Sequence, residues 1–159
     1  MNIRDERPED HAAIRRLLTE AFGGEGEAKL VDSLRADGDL AIALVAEIEG
    51  EIAGYIAMSP LNSPPRSLAL APVAVAPAWQ RQGVGRALIE ETLRRARTVE
   101  GCMVFVLGDP EYYARFGFST EAARRFDSPY AGEHFMAIAL TETPAPAAPV
   151  LYSRRFAEL

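Results

Sequence analysis

Apolar residues recur along this chain with two periods, one helical and one extended. Ile14, Leu17, Leu18, Ala21 and Phe22 fall at i, i+3, i+4, i+7 and i+8, which predicts an amphipathic helix over residues 10–22. Pro8 suits its first turn, and Gly23-Gly24 ends it. Leu30, Val31 and Leu34 predict a second, shorter helix over residues 25–35, and Glu27 lies on the same stripe. Ile3-Arg4 reads as a short opening strand. Residues 40–48 and 52–58 are strand-like runs joined by Glu49-Gly50-Glu51, the spacing of a hairpin. Residues 67–75 form a further strand that contains Pro72, so a bulge or an unpaired edge is expected there. The strongest helix signal covers residues 82–98, with Gly85, Ile89, Thr92, Leu93 and Ala96 on one face.

Residues 103–107 are continuously apolar, as in a strand covered on both sides. Gly108-Asp109-Pro110 breaks that run. A short helix over residues 110–116 is closed by Gly117, and residues 118–120 and 135–141 read as the last strands. The Pro- and Ala-rich stretch 143–149 is a connector, and 150–156 is a candidate returning strand. With no internal repeat, residues 1–159 read as one α/β (α+β) domain, a mixed sheet with helices on both faces.

Composition narrows the function classes. No apolar run approaches the roughly 20 residues needed to span a bilayer. The charged N-terminus is not a signal peptide, and the single Cys102 excludes an internal disulfide framework. Together these lead us to expect a cytoplasmic location. The net charge of −6 argues against nucleic-acid binding, which depends on phosphate neutralisation. His11 and His134 show no metal-ligand spacing, so no metal is expected. Cys102 opens an apolar strand without a basic partner nearby, as a small hydrophobe does. Arg81, Arg86, Arg94, Arg95 and Arg97 nevertheless crowd one stretch of the acidic chain. A solvated helix face accounts for the last three, whereas Arg81 and Arg86 suit a local anion site.

That site has a physical basis. Residues 70–88 combine a strand, a glycine-containing turn and a long helix. The first N–H groups of a helix lack intrahelical partners and sit at the positive end of its dipole. Gly83 and Gly85 let an anion approach the backbone, and Arg81 and Arg86 add charge-assisted bonds. A P-loop is excluded because no Gly-x-x-x-x-Gly-Lys run exists. A dinucleotide fingerprint lacks its third glycine at Leu88 and its place after the first strand.

What Gln80, Gly83 and Gly85 do match is Gln/Arg-x-x-Gly-x-Gly/Ala, which resembles the pyrophosphate motif of the GNAT N-acetyltransferase superfamily. Val73-Ala74-Val75-Ala76-Pro77 stands where that family carries its bulged strand, and the aromatic Trp79 precedes the motif. Downstream, Tyr113-Ala114-Arg115-Phe116-Gly117-Phe118 fits the family's Tyr before a Gly-Phe pair. The longer run from Leu107 to Phe118 is similar to the YhbS-type branch. The resemblance implies a mostly antiparallel sheet splayed between the strands near 67–75 and 103–107. It implies acetyl-CoA as cosubstrate, its pantetheine arm beside Val73, Ala74 and Val75. Gln80, the backbone from Arg81 through Gln82, Gly83, Val84 and Gly85 to Arg86, and Asp109 would hold the rest. Many relatives have Asn where this chain has Asp109, which sets that contact apart. The resemblance also admits a homodimer.

Acetyl transfer to an amine needs the neutral amine, and near pH 7.4 only about one alkylamine in a thousand is neutral. Glu27 is the candidate base, with an ion-paired surface glutamate as the competing reading. Glu47, Glu49 and Glu51 are weaker candidates, because hairpin charges are usually solvated. Tyr113, a phenol protonated at neutral pH, is the candidate acid for the leaving thiolate. Tyr112 is expected to pack or face solvent, and Trp79 to pack. The 153–156 tail, Ser153-Arg154-Arg155-Phe156, is expected to be a solvated end, with a rim of the acceptor pocket as the competing reading. The absence of an activated nucleophile favours direct transfer in a ternary complex to a small-molecule or peptide amine. An acyl-CoA sensor with the same cleft is the alternative.

Overall fold

The structure is a computed structural model that describes residues 1–98 and 103–159, and Cys102 lies outside them. Along the chain come β1 (Asn2–Asp5), α1 (His11–Phe22), α2 (Gly26–Ala36), β2 (Ile42–Ile48), β3 (Glu51–Pro60) and β4 (Ser67–Val75). They are followed by α3 (Val84–Thr98), β5 (Met103–Leu107), α4 (Pro110–Ala114), α5 (Thr120–Ala123) and β6 (Phe135–Ala139). Among the described residues the strands form one sheet in chain order, β1 to β6. Neighbours are antiparallel except β4 and β5, which run parallel on either side of α3.

Local chemistry sets these boundaries. Glu49 (φ 53°) and Gly50 (φ 76°) are both left-handed, which gives the β2–β3 hairpin a turn whose twist matches its strands. Gly23 (φ 70°) closes α1. The predicted bulge is present: Ile56 pairs with Val73 and Met58 with Leu70, so Ala57 alone faces Ala71 and Pro72.

Side-chain alternation divides the core into two layers. Leu44, Ile56, Leu70 and Val104 meet Val84, Leu88, Ile89 and Leu93 of α3 on one face. On the other, Val45, Tyr55 and Ala57 meet Ile14, Leu18 and Val31 of α1 and α2. Farther along that second face, Phe105 packs edge-on to Phe126 at 5.1 Å and stacks on Phe135 at 5.6 Å. The second face thus carries two clusters, one on each side of the β4–β5 junction. No helix among the described residues is long and apolar enough to cross a membrane.

Several expectations are corrected. α3 begins at Val84 rather than at residue 82, because Arg81 (φ 63°) and Gly83 (φ 83°) are left-handed and belong to the turn. Its buried face also includes Val84 and Leu88. Ala21 and Phe22 stay exposed instead of joining the core stripe. Residues 118–120 do not make a strand. Ser119 forms a single bridge to Ala137, and its side chain caps α5 by accepting the Ala122 N–H at 3.1 Å. The 150–156 segment does not rejoin the sheet; Leu151 makes one bridge to Ser63 before a 3₁₀ turn over Arg154–Glu158.

Ion pairs fix α1 and α2 against the first strand. Arg4 donates to both carboxylate oxygens of Asp10, at 2.8 and 3.1 Å, and Asp10 also accepts the Arg7 N–H. Glu6 accepts from Arg35 at 2.7 and 2.9 Å and from the buried Tyr55 hydroxyl at 2.9 Å. Burial raises the Glu6 pKa, and the bonds from Arg35 and Tyr55 more than offset it, leaving the carboxyl below its ordinary range.

Candidate active site

The parallel pairing of β4 with β5 is confined to Ser67–Met103, Leu68–Val104 and Ala69–Phe105. Past Ala69 the bulged half of β4 pairs only with β3 among the described residues, so the sheet opens. A cavity of about 490 Å³ lies in the opening, lined by both strands and by Tyr113. The free edge of β4 at Val73, Ala74 and Val75 offers backbone donors and acceptors, as edge strands do. An extended chain laid beside it pairs as an added strand. Val73 and Val75 pack toward the α3 layer, and Ala74 toward α1.

At the outer end of β4 the chain turns into α3. The Gln80 side-chain amide donates to Val75 O at 3.3 Å, and that of Gln82 to Ala78 O at 3.2 Å, so both side chains brace the turn. Left-handed Arg81 and Gly83, on either side of Gln82, make a concavity of backbone N–H groups at a helix start, suited to an anion. A non-glycine residue in that region costs about 1 kcal/mol or more, and Arg81 bears this with no ion-pair partner among the described residues. A Cβ on Gly83 would meet nothing within 4 Å, so the cradle is open there. Gly85 differs. Its Cβ would lie 3.1 Å from the Tyr112 hydroxyl and 3.6 Å from Val75 Cγ2, so this glycine makes room for protein atoms. Arg86 pairs with Glu90 at 2.8 Å on the exposed face of α3.

Tyr113 stands at the inner end. It is only 8% exposed, yet it lines the cavity, and its hydroxyl has no protein partner among the described residues. Burial, with the neighbouring Tyr112, pushes its pKa up to about 12, so the phenol keeps its proton at neutral pH. Tyr112 and Phe118 hold the ring edge-on, at 5.2 and 5.7 Å. Gly108 brings the backbone against the ring face: a Cβ there would lie 2.5 Å from Tyr113 Cε2. Asp109 spends its side chain on the α4 N-cap, accepting the Glu111 N–H at 3.1 Å. That bond explains why an acidic residue suits the position without any ligand.

Glu27 lines the same cavity from α2, half-buried, on the opposite side from the α3 layer. The stripe of Leu30, Val31 and Leu34 seats that helix. Sequence reasoning missed most of the surrounding wall: Phe22, Leu30, Tyr130, Tyr152, Phe156 and Leu159 also line the cavity. The C-terminal tail is therefore no solvated end. Arg155 forms a two-point pair with Asp37, at 2.7 and 3.1 Å, which holds the tail against α2. The aromatic spacing Tyr130, Tyr152, Phe156 was the available signal, but nothing local said that those residues converge. Among the described residues no group of three or more His, Cys, Asp or Glu is placed to hold a metal.

Known proteins share this arrangement. Residues 11–118 match the acetyltransferase (GNAT) family. The chain is 41% identical over 126 residues to the uncharacterised N-acetyltransferase YhbS of Escherichia coli strain K12, covering 77% of this chain and 75% of that protein. The crystal structure of E. coli YhbS in complex with CoA superposes with a TM-score of 0.89 at 33% identity, covering 98% of this chain and 91% of that one. A GNAT acetyltransferase of Brucella melitensis in complex with acetyl-CoA gives 0.84 at 35% identity, with 98% and 97% covered. The bulged, splayed sheet and its strand–turn–helix cradle are those of this family, and the chain belongs to the GNAT acetyltransferases.

Proposed function

We propose that the protein transfers an acetyl group from acetyl-CoA to a primary amine by direct attack in a ternary complex. The observation that carries this reading is the cleft itself. Val73 of the free strand edge, the phenol of Tyr113 and the carboxylate of Glu27 line one cavity, and the same strand leads on to the anion cradle at residues 81–84. CoA-bound and acetyl-CoA-bound relatives support the cosubstrate.

Acetyl-CoA supplies an acyl carbon activated as a thioester. The edge amides of Val73 and Val75 orient its arm, and the N–H groups around Gly83 hold its pyrophosphate. Glu27 takes the proton that an ammonium must lose before its nitrogen attacks. Tyr113 presents its hydroxyl proton to the departing sulfur. A phenol near 12 is a weaker acid than a free thiol near 8.5. The same burial raises a thiol in the same direction, however, so the hydrogen bond is made to charge developing in a poorly solvated site.

The test is Tyr113→Phe, which deletes only the hydroxyl. Turnover should fall by roughly 10²-fold while CoA affinity holds, measured by thiol release and by a separate titration. A variant with full turnover removes Tyr113 from the chemistry. A wild type that binds acetyl-CoA but acetylates no amine is a sensor instead.

A further inference from the structure

We infer that the acceptor is a primary amine carried on a compact aromatic body, gripped by the C-terminal tail; the inference rests on the acetyl-transfer reading and names its substrate. The cavity that Glu27 lines is also walled by Phe22, Leu30, Tyr130, Tyr152, Phe156 and Leu159. Three of these form a ladder: Tyr130 meets Tyr152 edge-on at 5.5 Å, and Tyr152 meets Phe156 at 5.1 Å. Phe22, Tyr130 and Leu159 remain 43–60% exposed, an unusual cost for large apolar groups that a ligand body would relieve. Among the described residues Glu27 is the one carboxylate on the cavity lining, and no lysine or arginine lines it.

This combination selects among amines. A single carboxylate serves one ammonium, and an aromatic ladder favours an aryl body through offset or edge contacts. A polyamine would bring several charges to one carboxylate, with only cation–π contacts to the rings for the rest. An amino sugar would set several hydroxyls against a wall whose side-chain polar groups, besides Glu27, are the tyrosine hydroxyls, a mismatch on the order of 10²-fold for an added hydroxyl. The cavity of about 490 Å³ also takes the acetyl-bearing arm beside β4, and the part left along the aromatic wall suits a compact body. The ladder is held in place by Arg155, whose two bonds to Asp37 tie the tail to the helix that carries Glu27. Ser153 caps that turn by accepting the Arg155 N–H at 3.4 Å, and a Cβ on Gly26 of α2 would lie 3.5 Å from Leu159 Cδ2. Arg155 is thus a positioning residue, acting through Tyr152 and Phe156.

The experiment measures kcat and KM with phenethylamine, spermidine, kanamycin and a lysine peptide as acceptors. Phenethylamine should exceed the others in kcat/KM by roughly tenfold or more. Tyr152→Ala should raise the phenethylamine KM about tenfold with kcat near wild type, and Arg155→Ala should raise it less, in the same direction. CoA affinity, read by titration, should stay unchanged in both. Preference for spermidine, kanamycin or the peptide, or an unchanged phenethylamine KM in Tyr152→Ala, overturns the inference while acetyl transfer stands. If Tyr152→Ala loses CoA binding, Phe22→Ala, exposed and outside the core clusters, carries the same KM test. If no amine turns over, phenethylamine is titrated into CoA-saturated protein. Saturable binding weakened by Phe22→Ala keeps the pocket assignment although acetyl transfer fails, and no binding overturns it.

Discussion

Gly108→Ala is expected to damage the site through one contact. The new Cβ would lie 2.5 Å from Tyr113 Cε2 and 3.1 Å from Cδ2, well inside van der Waals contact. Neither partner has room to give. The Gly108 N–H donates to His134 O at 2.9 Å, and His134 Nδ1 lies 3.2 Å from Gly108 O, so the backbone is pinned on both sides. The ring is boxed by Tyr112, Phe116 and Phe118. Overpacking of this kind costs about 1–3 kcal/mol. For 159 residues each kcal/mol lowers Tm by roughly 2–4 °C, so the drop should be about 2–12 °C. If the ring yields instead, its hydroxyl moves, and a misplacement near 1 Å costs on the order of 10²-fold in rate. The decisive assay is a double-mutant cycle by thermal and denaturant unfolding. In a Tyr113→Ala background the contacted ring atoms are gone, so Gly108→Ala should cost almost nothing and the coupling should be about 1–3 kcal/mol. Equal cost in both backgrounds, or wild-type stability and rate in Gly108→Ala alone, would refute the reasoning.

Other outcomes follow from the same geometry. Acetyl-CoA at a hundredfold excess over its Kd should stabilise the wild type by about 2.7 kcal/mol, read as a melting shift that ATP does not reproduce. Gly83→Val meets no atom in the free protein and strains only the left-handed φ of 83°, so circular dichroism should stay near wild type. Acetyl-CoA affinity should nevertheless fall at least about tenfold, or about 1.4 kcal/mol, and unchanged affinity would place the phosphates elsewhere. Hydrogen bonds from Arg4 hold the Asp10 carboxyl below its ordinary range, so the pair stabilises the fold above about pH 4, the unfolded value, and fades as pH falls through the lower folded one. Asp10→Asn should therefore cost more Tm at pH 7 than at pH 3, and a penalty independent of pH would contradict the pairing.

The strand, turn and helix proposed to hold the cofactor were legible in the sequence because their signals are local. Pro72 announces the bulge, Gly83 a left-handed turn, and the periodicity of 84–98 a helix that starts where the turn ends. Each needs only its neighbours along the chain. Residue identity alone was less informative about purpose. Gly83 and Gly85 look equivalent in the motif, yet one faces open space and the other leaves room for Tyr112 and Val75. Asp109, placed by the resemblance beside the cofactor, also caps α4. The acceptor half was hidden because it is made by long-range convergence. Tyr130, Tyr152 and Phe156 come from segments far apart in the chain, and they converge through packing of Tyr152 and Phe156 on the Phe105 cluster, the Tyr130–Tyr152 contact and the tail's ion pair to Asp37.

The two halves also rest on separate supports. The cosubstrate side is built from β4, its turn and α3, with Gly54 letting the layers close: a Cβ there would lie 2.8 Å from Val84 and 2.9 Å from Leu88. The acceptor side hangs on α2, which is anchored near its C-terminal end from both directions, by Glu6 to Arg35 and by Arg155 to Asp37. Loosening that end shifts Glu27, which α2 carries, and releases the tail that brings Tyr152 and Phe156 to the cavity, because the Arg155–Asp37 pair joins the two. It leaves the phosphate cradle in place, because α3 packs on the other face of the sheet. Substitutions on the two sides that share no partner should therefore combine additively. Acceptor preference can then change through α2 and the tail while acetyl-CoA affinity is preserved.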